Sequence, residues 1–261
     1  MTLTTLVIGI SLFALVLTGL EMAMNRKLIK NFLLSFLQNF TGGLFIFSGL
    51  VKAVDPLGTA YKMEQYFAEF ETTFAGTKAA FLAPMFPALA EYAIAFSVFM
   101  IVFEIVLGIA LLNGALKKAA SWAFFLMVLF FTFLTGFTYL TGYVPEGVNF
   151  FQFGQWGAYE ATSMKVTDCG CFGDFLKLEP RVSFLKDVFL LIPGIIFLFS
   201  AKSFHQLEKP GTRAIANGLA LVISLLAIYL SGYALGWRTI LVVVALIGVQ
   251  YLPFKSVVWA S

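Results

Sequence analysis

The amino-acid sequence predicts an all-α integral membrane protein with about seven transmembrane helices. Of its 261 residues, 60% are hydrophobic and only 12% are charged, whereas about a quarter of the residues in a soluble domain are charged. A single buried core could not absorb this apolar content and still leave a polar surface, so lipid must cover much of the molecule. The basic residues form short clusters between apolar runs rather than a stripe, which argues against nucleic-acid binding.

Seven apolar stretches are long enough, or nearly so, to cross a bilayer. About 20 helical residues are needed, because the hydrocarbon core is about 30 Å thick and each residue advances about 1.5 Å. The first stretch has no preceding Lys or Arg and no small-residue cleavage site, so we expect a retained helix. The last is short because Pro253 ends it. The predicted spans are residues 3–23, 32–54, 88–112, 119–141, 183–201, 214–235 and 239–252.

The distribution of Lys and Arg predicts the orientation. With the N-terminus outside, the inner connections are strongly basic and the outer connections are net acidic, as the positive-inside rule requires. The C-terminus then lies inside, and both long loops, residues 55–87 and 142–182, lie outside. In a bacterial inner (cytoplasmic) membrane this outer side is the periplasm. The inner basic residues are Arg26, Lys27, Lys30, Lys117, Lys118, Lys202, Lys209, Arg213 and Lys255.

The first outer loop predicts a helix that lies on the membrane surface. Asp55 can cap a helix whose first residue is Pro56. Apolar side chains then recur at helical spacing, with acidic and amide side chains elsewhere. We expect this face either to anchor the helix at the interface or to form a docking platform. The apolar positions are Met63, Tyr66, Phe67, Phe70 and Phe74.

The second outer loop contains the two cysteines of the chain, Cys169 and Cys171, with Gly170 between them. Aromatic side chains earlier in the loop are suited to headgroup depth, so we expect the cysteines to lie near the membrane surface. These aromatic residues are Phe150, Phe151, Phe153, Trp156 and Tyr159.

A bridge between Cys169 and Cys171 would need a sharp turn. The two Cα atoms must lie within about 7 Å, a distance that an extended backbone barely meets, and Gly170 permits the turn. Closing such a small ring removes little conformational entropy from the unfolded chain, so the bridge would stabilise the fold only slightly. It therefore suits thiol–disulfide exchange better than a structural role. The predicted outer location is one where a disulfide can persist.

Three interpretations of the cysteine pair are open. A redox-active dithiol/disulfide fits best. A metal site fits less well, because structural zinc usually takes four ligands and the only histidine, His205, is expected in a loop on the inner side. In the third, the cysteines form a static bridge or stay reduced in a tight turn. Asp168 disfavours the attacking thiolate, and Lys165 or Lys177 could offset it.

Charged residues within the spans form a second set of candidates. Glu104 falls in mid-span, where we expect its carboxyl to face protein or water. It would either join helices by polar contact, or relay a proton or tune a bound quinone. Lys186 and Asp187 lie near the outer end of their helix, and Lys52 is expected to join them beneath the cysteine loop. There they would position the loop or act as ordinary interfacial anchors.

Two stretches resemble a known family. DCGCFGDFLKLEPRVSFLKDVFLL, residues 168–191, resembles the signature of the MauE branch of the DoxX-like membrane proteins, and GGLFIFSGLVKAVDPLGTAYK, residues 42–62, resembles the second segment of DoxX-type proteins. The resemblance covers residues 42 to about 201 and implies a four-helix membrane bundle. It also implies thiol–disulfide chemistry at Cys169 and Cys171 in the bacterial periplasm, beside a thioredoxin-like partner. In methylamine utilisation, MauE is associated with maturation of a disulfide-rich subunit of methylamine dehydrogenase.

These expectations divide the chain into three segments and lead to two functional hypotheses. Residues 1–30 form an N-terminal transmembrane helix, residues 31–201 the DoxX/MauE-like four-helix unit, and residues 202–261 a C-terminal transmembrane hairpin. The first hypothesis is a thiol–disulfide redox or maturation component that acts on a periplasmic cysteine-containing protein. A quinone or a thioredoxin-fold protein would accept its electrons. The alternative is a non-catalytic structural or assembly subunit of a larger envelope membrane complex.

Overall fold

The computed structural model describes residues 2–24, 29–166, 170, 172, 175–206 and 210–230. Within these residues the chain is all-helical, without a β-strand, which confirms the predicted class. The α-helices there are α1 (Leu3–Met24), α2 (Phe32–Val54), α3 (Pro56–Ala75), α4 (Met85–Ala90), α5 (Ala93–Asn113), α6 (Lys117–Thr141), α7 (Pro180–Ser200) and α8 (Pro210–Leu230).

Five helical segments among the described residues are long and apolar enough to cross a membrane. They correspond to the first five predicted spans. Their outward faces expose large apolar side chains such as Val16, Phe133 and Phe199, which lipid covers in a bilayer. The five segments are Leu3–Ala23, Phe32–Val54, Ala93–Asn113, Lys117–Thr141 and Pro180–Ser203.

The predicted count of seven spans is not reproduced in the described residues. The predicted sixth span coincides in part with α8, whose apolar stretch Arg213–Leu226 is shorter than a span. The end of that predicted span and all of the predicted seventh span, residues 239–252, lie outside the described residues. The part of the chain that the structure describes therefore has five segments that are long and apolar enough to cross a membrane, followed by α8.

The third span begins at Ala93 rather than at residue 88. Residues 85–90 form the separate helix α4, and the chain turns at Glu91 and Tyr92 before α5 begins. Pro87 lies in the first turn of α4, where proline is tolerated, so it favours a separate helix that starts near residue 85. The first long loop therefore extends to residue 92 instead of residue 87.

The bundle contains two closely packed antiparallel helix pairs, α2 with α5 and α6 with α7. Glycines allow the backbones of α2 and α5 to approach. A Cβ atom added to Gly42 would lie 2.8 Å from the carbonyl oxygen of Gly108, and one added to Gly49 would lie 2.6 Å from Cγ1 of Ile105. Small residues at such contacts are the usual means of close helix packing in membranes.

Helix α3 forms as the sequence predicts, but its apolar face packs inside the protein. Asp55 Oδ1 accepts a hydrogen bond of 2.9 Å from the amide of Gly58 and so caps the helix. Tyr66 and Phe70 are buried. The Tyr66 hydroxyl lies 2.7 Å from the hydroxyl of Thr138 on α6. The helix therefore contributes to the core of the bundle, in addition to any role that it has at the membrane surface.

Aromatic rings of residues 142–179 cluster on the same end of the bundle. The ring of Phe150 lies 5.0 Å from that of Phe137 on α6 and 5.3 Å from that of Trp156. Phe151 and Phe153 are exposed. We call this end, which carries residues 55–92 and 142–179, the loop end. The opposite end, which carries residues 114–116 and 201–206, is the hairpin end.

Candidate functional site

A buried ion pair lies between α2 and α5, towards the loop end. Lys52 is in the last turn of α2 and Glu104 is in the middle of α5. Lys52 Nζ lies 2.5 Å from Glu104 Oε1, and the two side chains are 2% and 0% exposed. The ammonium group also donates to Ser48 Oγ at 3.0 Å and lies 4.9 Å from the centre of the Phe131 ring. The prediction that Glu104 faces the protein is confirmed.

The local sequence around Lys52 explains why the pair can form. A charge buried without a partner costs several kcal/mol, and a nearby counter-charge offsets that cost. Gly49 precedes Lys52 by three residues, so both lie on the same face of α2. A Cβ atom added to Gly49 would lie 3.2 Å from Glu104 Cβ. The missing side chain therefore lets α5 come close enough for Glu104 to reach Lys52.

A second pair of charges lies on α7. Asp187 is almost fully buried, and its Oδ2 accepts a hydrogen bond of 3.0 Å from Thr135 Oγ1 on α6. Its Oδ1 contacts Lys186 Nζ. That ammonium group also lies 5.6 Å from the centre of the Phe172 ring. The contact between α6 and α7 thus buries a carboxylate whose two oxygens both have partners.

The two charge pairs border one small cavity, which we call the charged chamber. Its volume is about 20 Å³, comparable to the space that one water molecule needs. Glu104 Oε2 is buried and has no hydrogen-bond partner within the described residues, so it is an available acceptor beside this cavity. The prediction that Lys52 lies together with the α7 charges is confirmed. The polar walls are Ser48, Lys52, Glu104, Lys186 and Asp187, and the apolar walls include Phe172.

The charged chamber is bordered by Phe172, and Gly170 lies at a neighbouring cavity. Phe172, which follows Cys171 in the sequence, is 2% exposed, and its ring lies 6.2 Å from that of Phe47 on α2. Gly170 has a φ angle of +59°, a left-handed conformation that glycine adopts without a steric penalty. It lines a second small cavity together with Lys52 and Thr135. The turn between the cysteines stays a prediction, because Cys169 and Cys171 lie outside the described residues.

The predicted site residues are only partly within the described structure. Asp168, Cys169 and Cys171 lie outside the described residues. The bridge between the cysteines and the effect of Asp168 on their reactivity therefore stay predictions. The structure does bring together the other four predicted residues, which are Lys52, Glu104, Lys186 and Asp187.

Sequence reasoning missed Lys62, which lies beside the motif. A Cβ atom added to Gly170 would lie 3.1 Å from Lys62 Cγ. Helical spacing could have indicated the position of this side chain. Lys62 precedes the buried Tyr66 by four residues, so the two lie on the same face of α3. Burial raises the pKa of Glu69, and the charge of Lys165 partly opposes this. The effect of Lys165 on Asp168 stays a prediction, because Asp168 lies outside the described residues.

A separate buried polar cluster lies at the hairpin end. His205 lies in a loop, as predicted, but it is fully buried rather than at the surface. Its Nε2 lies 2.9 Å from the carbonyl oxygen of Leu112, and its backbone amide donates to Gln38 Oε1 at 3.1 Å. Glu21 lies 3.8 Å from the ring. Burial lowers the pKa of His205 below its usual value, while the bond to Leu112 partly opposes the shift.

Comparison with known proteins does not place the chain in a family. No protein-family model matches it, and no curated protein or solved structure matches it. The resemblance to the MauE branch therefore stays a hypothesis based on the two segments quoted above. The described residues also contain no group of three or more His, Cys, Asp or Glu side chains that could hold a metal ion.

Proposed function

We propose that this chain is a thiol–disulfide component of a bacterial inner membrane that acts on a periplasmic protein through Cys169 and Cys171. One observation carries the proposal: Gly170 and Phe172 pack beside the charged chamber at the loop end. The ammonium group of Lys186 lies near Phe172, and the stem of Lys62 lies near Gly170. Positive charge close to a cysteine stabilises its thiolate, which makes that sulfur a better leaving group when a partner thiolate attacks the bridge.

The proposal includes an orientation and a family. The N-terminus is outside, the C-terminus is inside, and seven helices span the membrane, so the loop end faces the periplasm. The chain would be a DoxX-like protein of the MauE branch that adds helices before and after the four-helix unit. We propose a general role in redox chemistry or assembly rather than methylamine utilisation itself.

The proposed exchange proceeds through a mixed disulfide. A thiolate of the partner attacks one sulfur of the Cys169–Cys171 bridge, so that a new S–S bond forms while the bridge breaks. A second partner thiolate then displaces this cysteine, and the partner leaves with its own disulfide. The two electrons, and the two protons of the partner's thiols, end on Cys169 and Cys171. Reoxidation passes two electrons and two protons to a quinone, giving a quinol, or to the disulfide of a thioredoxin-fold protein, giving its dithiol.

In this mechanism the membrane charges position the motif. Lys52, Glu104, Lys186 and Asp187 are at least 86% buried and are held by each other and by neighbouring hydroxyls. Phe172 packs against this group. Fixing the residue that follows Cys171 restricts the geometries that the short Cys-Gly-Cys ring can adopt.

A second candidate function is a non-catalytic structural or assembly subunit of a larger envelope complex. The burial of Phe172 also suits a static turn, in which the cysteines only shape the loop. The exposed rings of Phe151 and Phe153 offer an apolar surface for contact with another subunit.

Thiol labelling in intact cells distinguishes these two functions. A bulky maleimide that does not cross the inner membrane is applied with and without prior reduction. The Cys169→Ser/Cys171→Ser variant serves as the unlabelled control. We expect labelling of the wild type only after reduction, with reoxidation once the reductant is washed out. Labelling without reduction, together with full function of the double variant, would favour the structural subunit.

A further inference from the structure

Helices α5 and α6 are consecutive but diverge and leave a long apolar crevice between them. Its volume is about 590 Å³. The lining residues of α5 extend from Phe96 to Ala110, which corresponds to about 20 Å of helix. That length exceeds the roughly 15 Å thickness of one leaflet's hydrocarbon. At the hairpin end the crevice is lined by Leu116, Ala119 and Asn217.

Three basic side chains from separate segments lie at the hairpin end, where α8 packs against α2 and α5. Lys30 precedes α2, Lys117 begins α6 and Arg213 lies in the first turn of α8. They are near enough for the charges of Lys30 and Arg213 to act on that of Lys117. Like charges repel, so an anion between them would be stabilised by all three. Lysine and arginine are the side chains that bind phosphate, and arginine can do so with two parallel hydrogen bonds.

These basic residues lie at the mouth of the crevice. Lys117 directly follows Leu116, which lines the apolar wall. Asn217 lies one turn after Arg213 and donates to its carbonyl oxygen at 2.8 Å. Asn217 is only 4% exposed, yet its Oδ1 makes no hydrogen bond within the described residues. A buried acceptor therefore lies between the cations and the apolar crevice.

We propose that the hairpin end binds an anionic phospholipid, with its phosphate at Lys30, Lys117 and Arg213 and an acyl chain in the crevice between α5 and α6. The order of groups along the site, first cations, then a polar amide side chain and then apolar side chains, matches the order along a phospholipid from phosphate through the ester-linked glycerol to the acyl chain. Basic pockets between membrane helices are known to bind acidic lipid headgroups in this way. The site is independent of the cysteines.

The test is native mass spectrometry of the purified full chain with phosphatidylglycerol or phosphatidylcholine of the same acyl chains. We expect wild-type protein to retain phosphatidylglycerol. The Lys30→Gln/Lys117→Gln/Arg213→Gln variant should bind it on the order of a hundredfold more weakly, since each basic side chain near a membrane surface contributes on the order of fivefold. The control, Lys78→Gln/Lys165→Gln/Arg181→Gln, removes the same charge from exposed positions towards the loop end and should retain wild-type affinity.

A second variant tests the crevice without changing charge. Ala119→Phe fills its hairpin end and should also weaken phosphatidylglycerol binding, while its melting temperature reports that the fold is intact. Equal retention of phosphatidylcholine, or unchanged binding by the first triple variant, would overturn the proposal. Displacement of the lipid by millimolar inorganic phosphate would show a simple anion site and would overturn it too.

Discussion

Lys52 and Glu104 show how this bundle retains charge inside the membrane. Each would destabilise the fold alone, but their 2.5 Å contact and the bond to Ser48 provide partners for the ammonium group. Removing one partner leaves the other charge buried, whereas replacing both by apolar side chains removes the desolvation cost as well.

We expect Glu104→Gln to destabilise the protein by about 3–5 kcal/mol, because Lys52 then lacks its counter-charge. The Lys52→Met/Glu104→Leu variant should recover much of this loss. Thermal unfolding in detergent measures both. A single variant as stable as the wild type would show that the pair is not needed.

Gly170 gives a second prediction for a single residue. Its φ of +59° is left-handed, which costs a residue with a Cβ atom about 1–2 kcal/mol, and Lys62 Cγ would lie 3.1 Å from that atom. Gly170→Ala should therefore lower the equilibrium constant for closing the cysteine bridge by about tenfold, as titration in glutathione buffers measures.

Gly154→Ala is the matched control for that titration. This glycine lies in the same loop but has open space around it and no left-handed φ. We expect it to behave as the wild type. Equal titration curves for the two variants would contradict a role for the Gly170 conformation.

At the residue scale, the sequence predicted the placement of Glu104 but not the surroundings of His205. An isolated carboxylate in an apolar run can only be accommodated by facing protein or water, so its environment follows from its position. His205 is followed by charged residues and has no such constraint. Its burial depends on Gln38 and Leu112, which are distant in sequence.

Among the helices, the α2–α5 contact determines where the charges meet. A Cβ atom on Gly108 would lie 2.7 Å from both the Gly42 carbonyl oxygen and Ile46 Cγ1. A hydropathy profile finds both helices, because length and composition suffice. It cannot show that these two helices pack together, since that depends on which faces carry the glycines.

Gly108→Ala should lower the melting temperature, because α2 and α5 must separate to admit the methyl group. Gly9→Ala on α1 has open space and should be neutral or stabilising, since alanine favours a helix by about 0.5–1 kcal/mol. Differential scanning calorimetry of the two variants provides the comparison. If both behave alike, close packing at Gly108 is not important.

The loop between α7 and α8 makes stability depend on pH. Burial lowers the pKa of His205 from 6.5 in the folded protein, so the unfolded chain takes up a proton first as the pH falls. The contribution of neutral His205 to the free energy of unfolding is therefore fully present above pH 6.5. Below that pH the free energy of unfolding decreases, by at most about 1.4 kcal/mol per pH unit for one proton.

His205→Gln should remove this part of the pH dependence. The assignment is clear because His205 is the only histidine in the chain. Glu21 lies 3.8 Å from the ring and is retained in the variant. Any pH dependence that comes from this carboxyl group is therefore present in both proteins. Urea or thermal unfolding between about pH 7 and 5 gives the free energy of unfolding of the wild type and the variant. If His205 played no part, the slopes of this free energy against pH would be equal in the two proteins.

For the whole molecule, composition predicted most of the architecture. Apolar length alone identified the five described spans, and the Asp55–Pro56 signal identified α3. The break before Ala93 was missed, because residues 88–90 are apolar and a single charged residue, Glu91, does not by itself mark a helix end. The packing of Phe172 against the charged chamber depends on α2, α5 and α7 together, which no local pattern encodes.

The most direct test of the proposed function is to trap the mixed disulfide in cells. Cys171→Ser leaves Cys169 able to form a bond with the partner but unable to resolve it, and Cys169→Ser does the converse. We expect at least one variant to yield an adduct that reductant cleaves, and the double variant to yield none. If both single variants are inserted in the membrane and neither yields such an adduct, exchange through these cysteines is contradicted.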